Sequence, residues 1–466
     1  MPGNSKARDK TEGRATGWVK PASPLRAERK RTEIHFRYVK LAEVNLGSFP
    51  LWLNCGSENV VKEGAMTVWP AIGSEEVPWN RDDEELMLVP KAKRRKITPT
   101  YRAAIPASLA GLSVPLAPER AERLADIRAR LVRFDEQQAR LPFNVPSLLL
   151  RSESAASSQI ENLTSSARNI ALAGLSESAP KNAQIIAANI DAMRRALDLP
   201  GNLTPEGICG IHQALLERTD ASYAGCLREE QVWVGGTPYS PHEALFVPPV
   251  AERVPQHLDD LCRFARLDSA DPIAKAAVVH AQFETIHPFI DGNGRTGRTL
   301  LHRMLRIDGV LTHGTVPVSA GLLHDIDRYM QALSSYQEGN PEPIIDQLAD
   351  ALDSAIVIAS LTSSRVAEID EAWRERITER AGAKIHELPA LLWEQPVVDS
   401  AYVAQRLGVT RRAATDLINR ACSYEILRPL KRAQRGDFYQ ASDAVDLLDD
   451  ISSIAGIRRL MASESR

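Results

Sequence analysis

Residues 287–298 read HPFIDGNGRTGR, and they bring an imidazole, a carboxylate, three glycines and two guanidinium groups into one short stretch. A histidine ordinarily titrates near neutral pH, so His287 is expected to be able to take a proton there. Asp291 is a hard oxygen donor suited to Mg²⁺, which takes a few carboxylates and fills its other positions with water and phosphate oxygens. Gly292, Gly294 and Gly297 keep the backbone uncrowded. Their N–H groups, with those of Asn293, Arg295 and Thr296, can turn inward as an anion cradle at the start of a following helix, where the macrodipole also favours negative charge. Arg295 and Arg298 lie one helical turn apart, which sets both forks on the same side for phosphate oxygens. Such a set suits attack on a metal-bound nucleotide.

The same residues satisfy the dinucleotide pattern G-x-G-x-x-G, which requires a buried strand before it and an acidic residue about 20 positions later. Neither is present. Upstream, AKAAVVHAQFETI places Ala276, Val279, Phe283 and Ile286 at spacings of three and four, the period of a helix. A glycine turn with a purely structural role accounts for the glycines and leaves His287, Asp291 and both arginines without one.

The segment resembles the signature of the Fic (Fido) family, H-P-F-x-[DE]-G-N-G-R-x-x-R, at every specified position. The resemblance implies a helical bundle with the signature in a loop between two helices, and transfer of AMP from ATP to a Ser, Thr or Tyr hydroxyl of a target protein or of the chain itself. On that resemblance His287 is the base that deprotonates the hydroxyl, Phe289 anchors the loop, and Asp291 holds Mg²⁺. Asn293 and neighbouring amides meet the α-phosphate, and Arg295 and Arg298 meet the β- and γ-phosphates. The assignment is chemically coherent, because a charged transition state and a pyrophosphate leaving group need oriented donors and a metal more than covalent help.

Residues 157–162, SSQIEN, resemble the inhibitory motif [ST]-x-x-x-E-[GN] of the Fic subclass whose brake precedes the core. Ser157 and Glu161 are four apart and share a helical face. The resemblance implies that Glu161 occupies Arg298, the guanidinium that otherwise grips the γ-phosphate. Two alternatives stay open. Ser158 to Glu161 also reads as a capping box at a helix start, and Glu161 can instead position water for removal of AMP from a target.

Residues 231–250, QVWVGGTPYSPHEALFVPPV, alternate around Trp233, break at Gly235 and Gly236, and resume before Pro248, a hairpin signal in a helical chain. This segment resembles the Fic flap, which pairs with the backbone of a target; the alternative is a hairpin that only covers the core. Arg228 and Trp233 carry too little pattern to be assigned. Tyr329 and Tyr336, at heptad spacing, either border the adenine or sit in the core with a bonded hydroxyl. His280 and His302 flank the signature and read as packing residues, because a lone helical His lacks the spaced partners of a metal ligand.

Near the C-terminus, Gly408 separates two helix-like runs, Thr410 can cap the second, and Arg411 and Arg412 fall in its first turn. Lys431, Arg432 and Arg435 bracket a turn at Gly436 before Phe438 and Tyr439. The segment resembles a winged helix-turn-helix, an appendage of many Fic proteins. Its role stays open between DNA binding or autoregulation and a homodimerisation or target-docking module, since few basic residues are available to neutralise phosphates.

The 466 residues allow two or three domains with sizeable cores. A net charge of −3 and pI near 6.4 argue against bulk polyanion binding. Five scattered cysteines without C-x-x-C spacing point to reduced thiols in a cytoplasmic protein without structural zinc. No apolar run reaches the roughly 18 residues of a membrane span. The expected architecture is mainly α: a poorly ordered extension over 1–97, with Met87 a candidate start and Lys91 to Lys96 a basic linker; a helical region with the inhibitory motif over 98–200; the catalytic bundle and its small β-hairpin flap over 201–365; a linker helix over 366–385; and the winged-helix domain over 386–466. Two functions follow as alternatives, a self-inhibited protein adenylyltransferase acting with ATP and Mg²⁺, and a transcriptional regulator that senses nucleotide through the same core.

Overall fold

Trp69 belongs to the core, 5% exposed, edge-on to Phe264 and tilted against Tyr336. The computed structural model describes residues 69–79, 89–141, 144–268, 270–430 and 438–464. Strand β1 (Gly73–Pro78) pairs antiparallel with β2 (Thr100–Ile105), in a register that matches Gly73 to Ile105 and Pro78 to Thr100. Arg253 grips Glu75 through both carboxylate oxygens, at 2.6 and 2.9 Å. A short helix α1 (Lys91–Arg94) links the strands, and Lys93 and Lys96 both bind Glu243.

The expectation of a poorly ordered extension to residue 97 is therefore corrected at 69–79 and 89–97, and the basic linker is engaged in ion pairs. The reason is physical. β1 is an edge strand held by main-chain bonds and the Arg253 pair, so its sequence lacks the apolar alternation that announces a half-buried strand. Residues 1–68, and Met87 with the rest of 80–88, lie outside the described residues.

The helices follow in order. In α2 (Pro118–Gln138), proline opens the first turn, and Leu124, Ile127, Leu131 and Phe134 bury the predicted face. Helix α3 (Val145–Ile160) is capped by Asn144, whose side chain accepts from the Ser147 N–H at 3.1 Å. Next come α4 (Ala167–Ala173), α5 (Lys181–Asp198), α6 (Pro205–Leu216) and α7 (Val254–Ala265). Helix α8 (Pro272–Ile286), capped by Asp271, is buried on nearly every side, and its polar side chains Lys275, His280, Gln282 and Thr285 are hydrogen-bonded inside the bundle. Helix α9 (Asn293–Ile307) packs on it, followed by α10 (Val318–His324) and α11 (Ile326–Gln337).

Helix α12 (Glu342–Arg376) runs 35 residues without a break, about 50 Å at 1.5 Å per residue. It matches the helical period of residues 344–377, and the separate linker helix expected over 366–385 is corrected: no proline or glycine stands between Pro343 and Gly382 to divide it, and the helix ends at Arg376. After it come α13 (Leu388–Glu394), β3 (Val397–Val398), α14 (Ser400–Leu407), α15 (Arg411–Ser423), β4 (Arg428–Pro429), β5 (Tyr439–Gln440), α16 (Ser442–Ile451) and α17 (Ile454–Glu464). The three short strands form one antiparallel sheet in the order β3-β5-β4. Gly408, at φ +64°, makes the turn between α14 and α15, and Thr410 caps the latter. Lys431, Arg432, Arg435 and Gly436 lie outside the described residues.

One hydrophobic cluster extends from Trp69 to Ile451. Trp373 of α12 stacks on Trp393 at 4.7 Å and donates to Asp443 at 2.9 Å, while Trp393 donates to Asp370 at 3.0 Å. The boundary at 386 thus marks a change of topology and not a break in the core. Over 231–250 the expected hairpin is reduced to two bridges among the described residues, Val234 with Phe246 and Thr237 with Ser240. Pro238, Pro241, Pro248 and Pro249 remove donors that a longer ladder would need. The Ala104 N–H donates to Val247 O at 2.9 Å and ties the segment to β2.

Candidate active site

Helix α8 ends at His287, whose backbone is left-handed (φ 49°, ψ 62°), and α9 begins after Gly292, also at positive φ. A left-handed His is sterically costly and persists only where its surroundings fix it. Arg228 supplies much of that constraint. Buried to 3% exposure, it donates from Nε to His287 O at 2.8 Å, from Nη2 to Pro249 O at 2.5 Å and from Nη1 to Glu230 O at 3.1 Å. Asn293 closes the loop from inside: its Oδ1 accepts from the Phe289 N–H at 2.9 Å and its Nδ2 donates to Phe289 O at 2.8 Å.

Phe289 is fully buried and stacks on His212 with centroids 3.7 Å apart and planes 4° from parallel. His212 Nδ1 accepts from the Gly225 N–H at 3.0 Å, which fixes the tautomer so that Nε2 donates to Asp291 O at 2.9 Å. Burial pushes the His212 pKa down to about 4, so the ring is neutral in this role. Arg228, His212 and Asn293 therefore act as positioning residues for the His287 to Asp291 loop.

The reactive groups sit on this frame. His287 Nδ1 lies 3.4 Å from Glu284 O, a long hydrogen bond in which Nδ1–H donates, which is the tautomer whose Nε2 can act as a proton acceptor. Burial, reinforced by the Arg228 charge, lowers its pKa to about 4. Asp291 Oδ1 accepts from the Gly292 N–H at 2.7 Å, Oδ2 stands 3.7 Å from Arg295 Nη2, and the side chain is 25% exposed. Among the described residues no group of three or more His, Cys, Asp or Glu converges as a metal cage. One partly open carboxylate beside an anion cradle fits Mg²⁺, which draws most of its ligands from water and phosphate.

In α9 the first intrahelical bond runs from the Thr296 N–H to Gly292 O, so the amides of Asn293, Gly294 and Arg295 have no acceptor within the helix. The guanidinium groups beside them are both engaged by one carboxylate. Glu161 Oε2 accepts from Arg295 Nε at 2.8 Å, and Oε1 accepts from Arg298 Nη2 at 3.0 Å. Arg298 also donates to Ser157, from Nε to Oγ at 2.9 Å and from Nη2 to the main-chain oxygen at 2.7 Å. Burial alone would raise the Glu161 pKa, but Arg295 and Arg298 outweigh it and hold it below the usual carboxylate value. The capping-box alternative does not hold, because Glu161 follows the last turn of α3 as its C-cap.

Some expected cradle members face elsewhere. A Cβ on Gly297 would fall 2.4 Å from Glu284 Oε1 and 3.0 Å from Phe283, so this glycine allows α8 and α9 to approach and does not line the cradle. Thr296 is fully buried. Gly294 does face the site, since a Cβ there would meet Glu161 Oε1 at 2.6 Å and Arg298 Nη1 at 2.9 Å. Tyr329, expected among the nucleotide contacts, is 1% exposed behind Arg298; its hydroxyl donates to His280 Nε2 at 2.7 Å and accepts from Arg298. Tyr336 bonds Gln282 at 2.9 Å, and His302 meets Glu153 at 2.9 Å and Thr315 at 3.0 Å, all in the core.

Sequence reasoning missed Glu284, whose carboxyl is pushed up to about 7 by burial, with Arg298 lowering it and Glu161 raising it. Its signal was its place on the α8 face one turn before His287.

Residues 202–305 match the Fic/DOC family. The chain is 36% identical over 108 residues to the protein adenylyltransferase fic-1 of Caenorhabditis elegans, covering 22% of this chain and 19% of that one. It is 29% identical over 155 residues to the protein adenylyltransferase Fic of Drosophila willistoni, covering 33% and 28%. The matches thus span 19% to 28% of these relatives' own length. Among solved structures, a Fic family protein from Desulfovibrio desulfuricans G20 aligns over 70% of this chain and 97% of its own, at 21% identity and a TM-score of 0.47.

Proposed function

We propose, from the Fic/DOC domain carried at residues 202–305, that the chain is a self-inhibited protein adenylyltransferase. It moves AMP from ATP to a hydroxyl side chain of a target protein or of itself. The observation that carries this reading is the meeting of Glu161 with Arg295 and Arg298 at the N-terminus of α9, next to the loop that holds His287. The carboxylate stands where phosphate oxygens would bond.

In this reading ATP binds productively once Glu161 leaves both guanidinium groups. The amides of the α9 first turn take the α-phosphate, and Arg295 and Arg298 take the phosphates beyond it. Asp291 holds Mg²⁺, whose contribution is to shield charge on the phosphate oxygens. His287 Nε2 accepts the proton of the target hydroxyl as its oxygen bonds the α-phosphorus; the bond from that phosphorus to the bridging oxygen breaks, and pyrophosphate leaves with the electron pair. Residues 231–250, tied to β2, offer an extended segment against which target backbone can align.

The C-terminal order of helices and short strands supports a winged helix-turn-helix there, with Arg411 and Arg412 exposed at the start of α15. We read it as a docking or regulatory module. The central test incubates Glu161→Gly protein with ATP and Mg²⁺ and seeks an added AMP by mass spectrometry, with His287→Ala in the same background as control. Absence of AMP on the chain and on lysate proteins in the Glu161→Gly sample overturns the assignment.

A further inference from the structure

At the opposite end of α3 from Glu161, a cavity of about 540 Å³ opens between α3, α5 and the C-terminal helices α13 and α14. Five arginines line it, Arg151, Arg194, Arg218, Arg306 and Arg406, against the carboxylates of Asp191, Asp198 and Glu394. Two of the three carboxylates are already shared: Asp191 pairs with Arg218 at 3.2 Å and Arg194 at 3.6 Å, and Glu394 pairs with Arg406, which leaves Asp198 as the one acid set against the remaining arginines. Among the described residues, Arg151 and Arg306 have no ion pair.

Arg151 is the informative one. Its donors meet neutral acceptors, Glu394 O at 3.2 and 2.8 Å and Gln395 Oε1 at 2.7 Å. Burial, with repulsion from Arg194, lowers its pKa to about 10, although Tyr402, Asp191 and Glu394 pull it back up. A guanidinium in such a place is costly unless an anion completes it. The rest of the lining is apolar on one wall, with Leu150, Ile170, Ile190 and Leu197, and the Tyr402 ring lies under the Arg406 guanidinium at 5.7 Å. The volume falls in the range of small-ligand sites.

We propose that this cavity binds a phosphorylated small molecule of nucleoside monophosphate size, with its phosphate on the Arg151, Arg194 and Arg406 side and its ring against the apolar wall. The site is separate from the cradle at Arg295 and Arg298, and it stands whether or not the chain transfers AMP.

The test is calorimetric titration of AMP into the full chain and into an Arg194→Gln/Arg406→Gln variant, with adenosine as the phosphate-free probe. The substituted side chains are 44% and 43% exposed, and a thermal melt checks that the variant is folded. The expected result is AMP affinity at least tenfold weaker in the variant, and adenosine binding weaker than AMP in the wild-type chain. No AMP binding by the wild-type chain, equal AMP affinity in the two proteins, or equal affinity for AMP and adenosine overturns the proposal.

Discussion

Glu161 Oε1 and Arg298 Nη2 meet at 3.0 Å although 137 positions separate the two residues in sequence. With Arg295 on its second oxygen, Glu161 satisfies two cations that are each only 3% exposed. Such a carboxylate stabilises the resting protein and competes with any anion for the same donors. The two effects can be measured separately.

Replacing Glu161 by Gly should raise AMP labelling roughly ten- to hundredfold, the weight of one or two charge-assisted bonds. The same change leaves buried guanidinium groups uncompensated and should lower stability by about 3 kcal/mol. Pyrophosphate should restore part of the lost melting temperature. Labelling that stays at the wild-type level in a folded Glu161→Gly protein would remove the inhibitory role.

The Glu161 pKa is held below its ordinary value, so the sign of its pH dependence is fixed. Its contribution to stability is fully present above the unfolded carboxylate pKa and is lost as pH falls through the lowered folded value. Comparing wild-type and Glu161→Gln melting curves between pH 7 and 3 should show the gap narrowing only toward acid. A gap that narrows toward alkaline pH contradicts the pairing.

His287→Ala in the Glu161→Gly background should reduce transfer by about 10²- to 10⁴-fold, the usual range for a general base. Because the His287 pKa is lowered to about 4, the imidazole is a neutral base well below the ordinary value near 6.5. The acid limb of kcat/KM should therefore lie closer to pH 4 than to 6.5. A limb at or above 6.5 assigned to this residue contradicts the buried, Arg228-flanked environment.

Gly297→Ala should destabilise the protein by about 1–3 kcal/mol through overpacking, since the added carbon meets Glu284 and Phe283. The loss should appear as a lower melting temperature. An unchanged melting temperature would mean that α8 and α9 have slack that the structure does not show.

Trp69→Ala should cost about 3–5 kcal/mol, the range for a large aromatic removed from a core. Phe264 and Tyr336 lose their neighbour in this variant. Denaturant unfolding with both proteins at one pH checks it, and a midpoint indistinguishable from wild type would detach this segment from the core.

The reactive half of the site was legible because its chemistry is contiguous: His287, Asp291, Arg295 and Arg298 stand within a single loop and helix start. Its partner at Ser157 and Glu161 was legible from spacing and resemblance. The positioning half was not. Arg228 and His212 act on main-chain oxygens of His287 and Asp291, and a carbonyl leaves no residue-type signature for a reader to pair with them. The packing of Gly297 of α9 against α8 is illegible for a related reason, since this glycine reads equally well as a cradle member or as a packing gap. Strand β1 has no such signature because an edge strand can be charged along its length, whereas the helical period over 344–377 marks nearly the whole of α12 and only the linker bounds of 366–385 miss its end.

The unbroken rod of α12 has a mechanical corollary. Its early turns brace α10 and α11, and its last turns carry Asp370 and Trp373 into the indoles and acids of the C-terminal segment. With one apolar interior shared from end to end, excising the residues after 386 would expose a raw hydrophobic wound on the remaining bundle. Whatever touches the tail of this molecule pulls on the same beam that holds its centre upright.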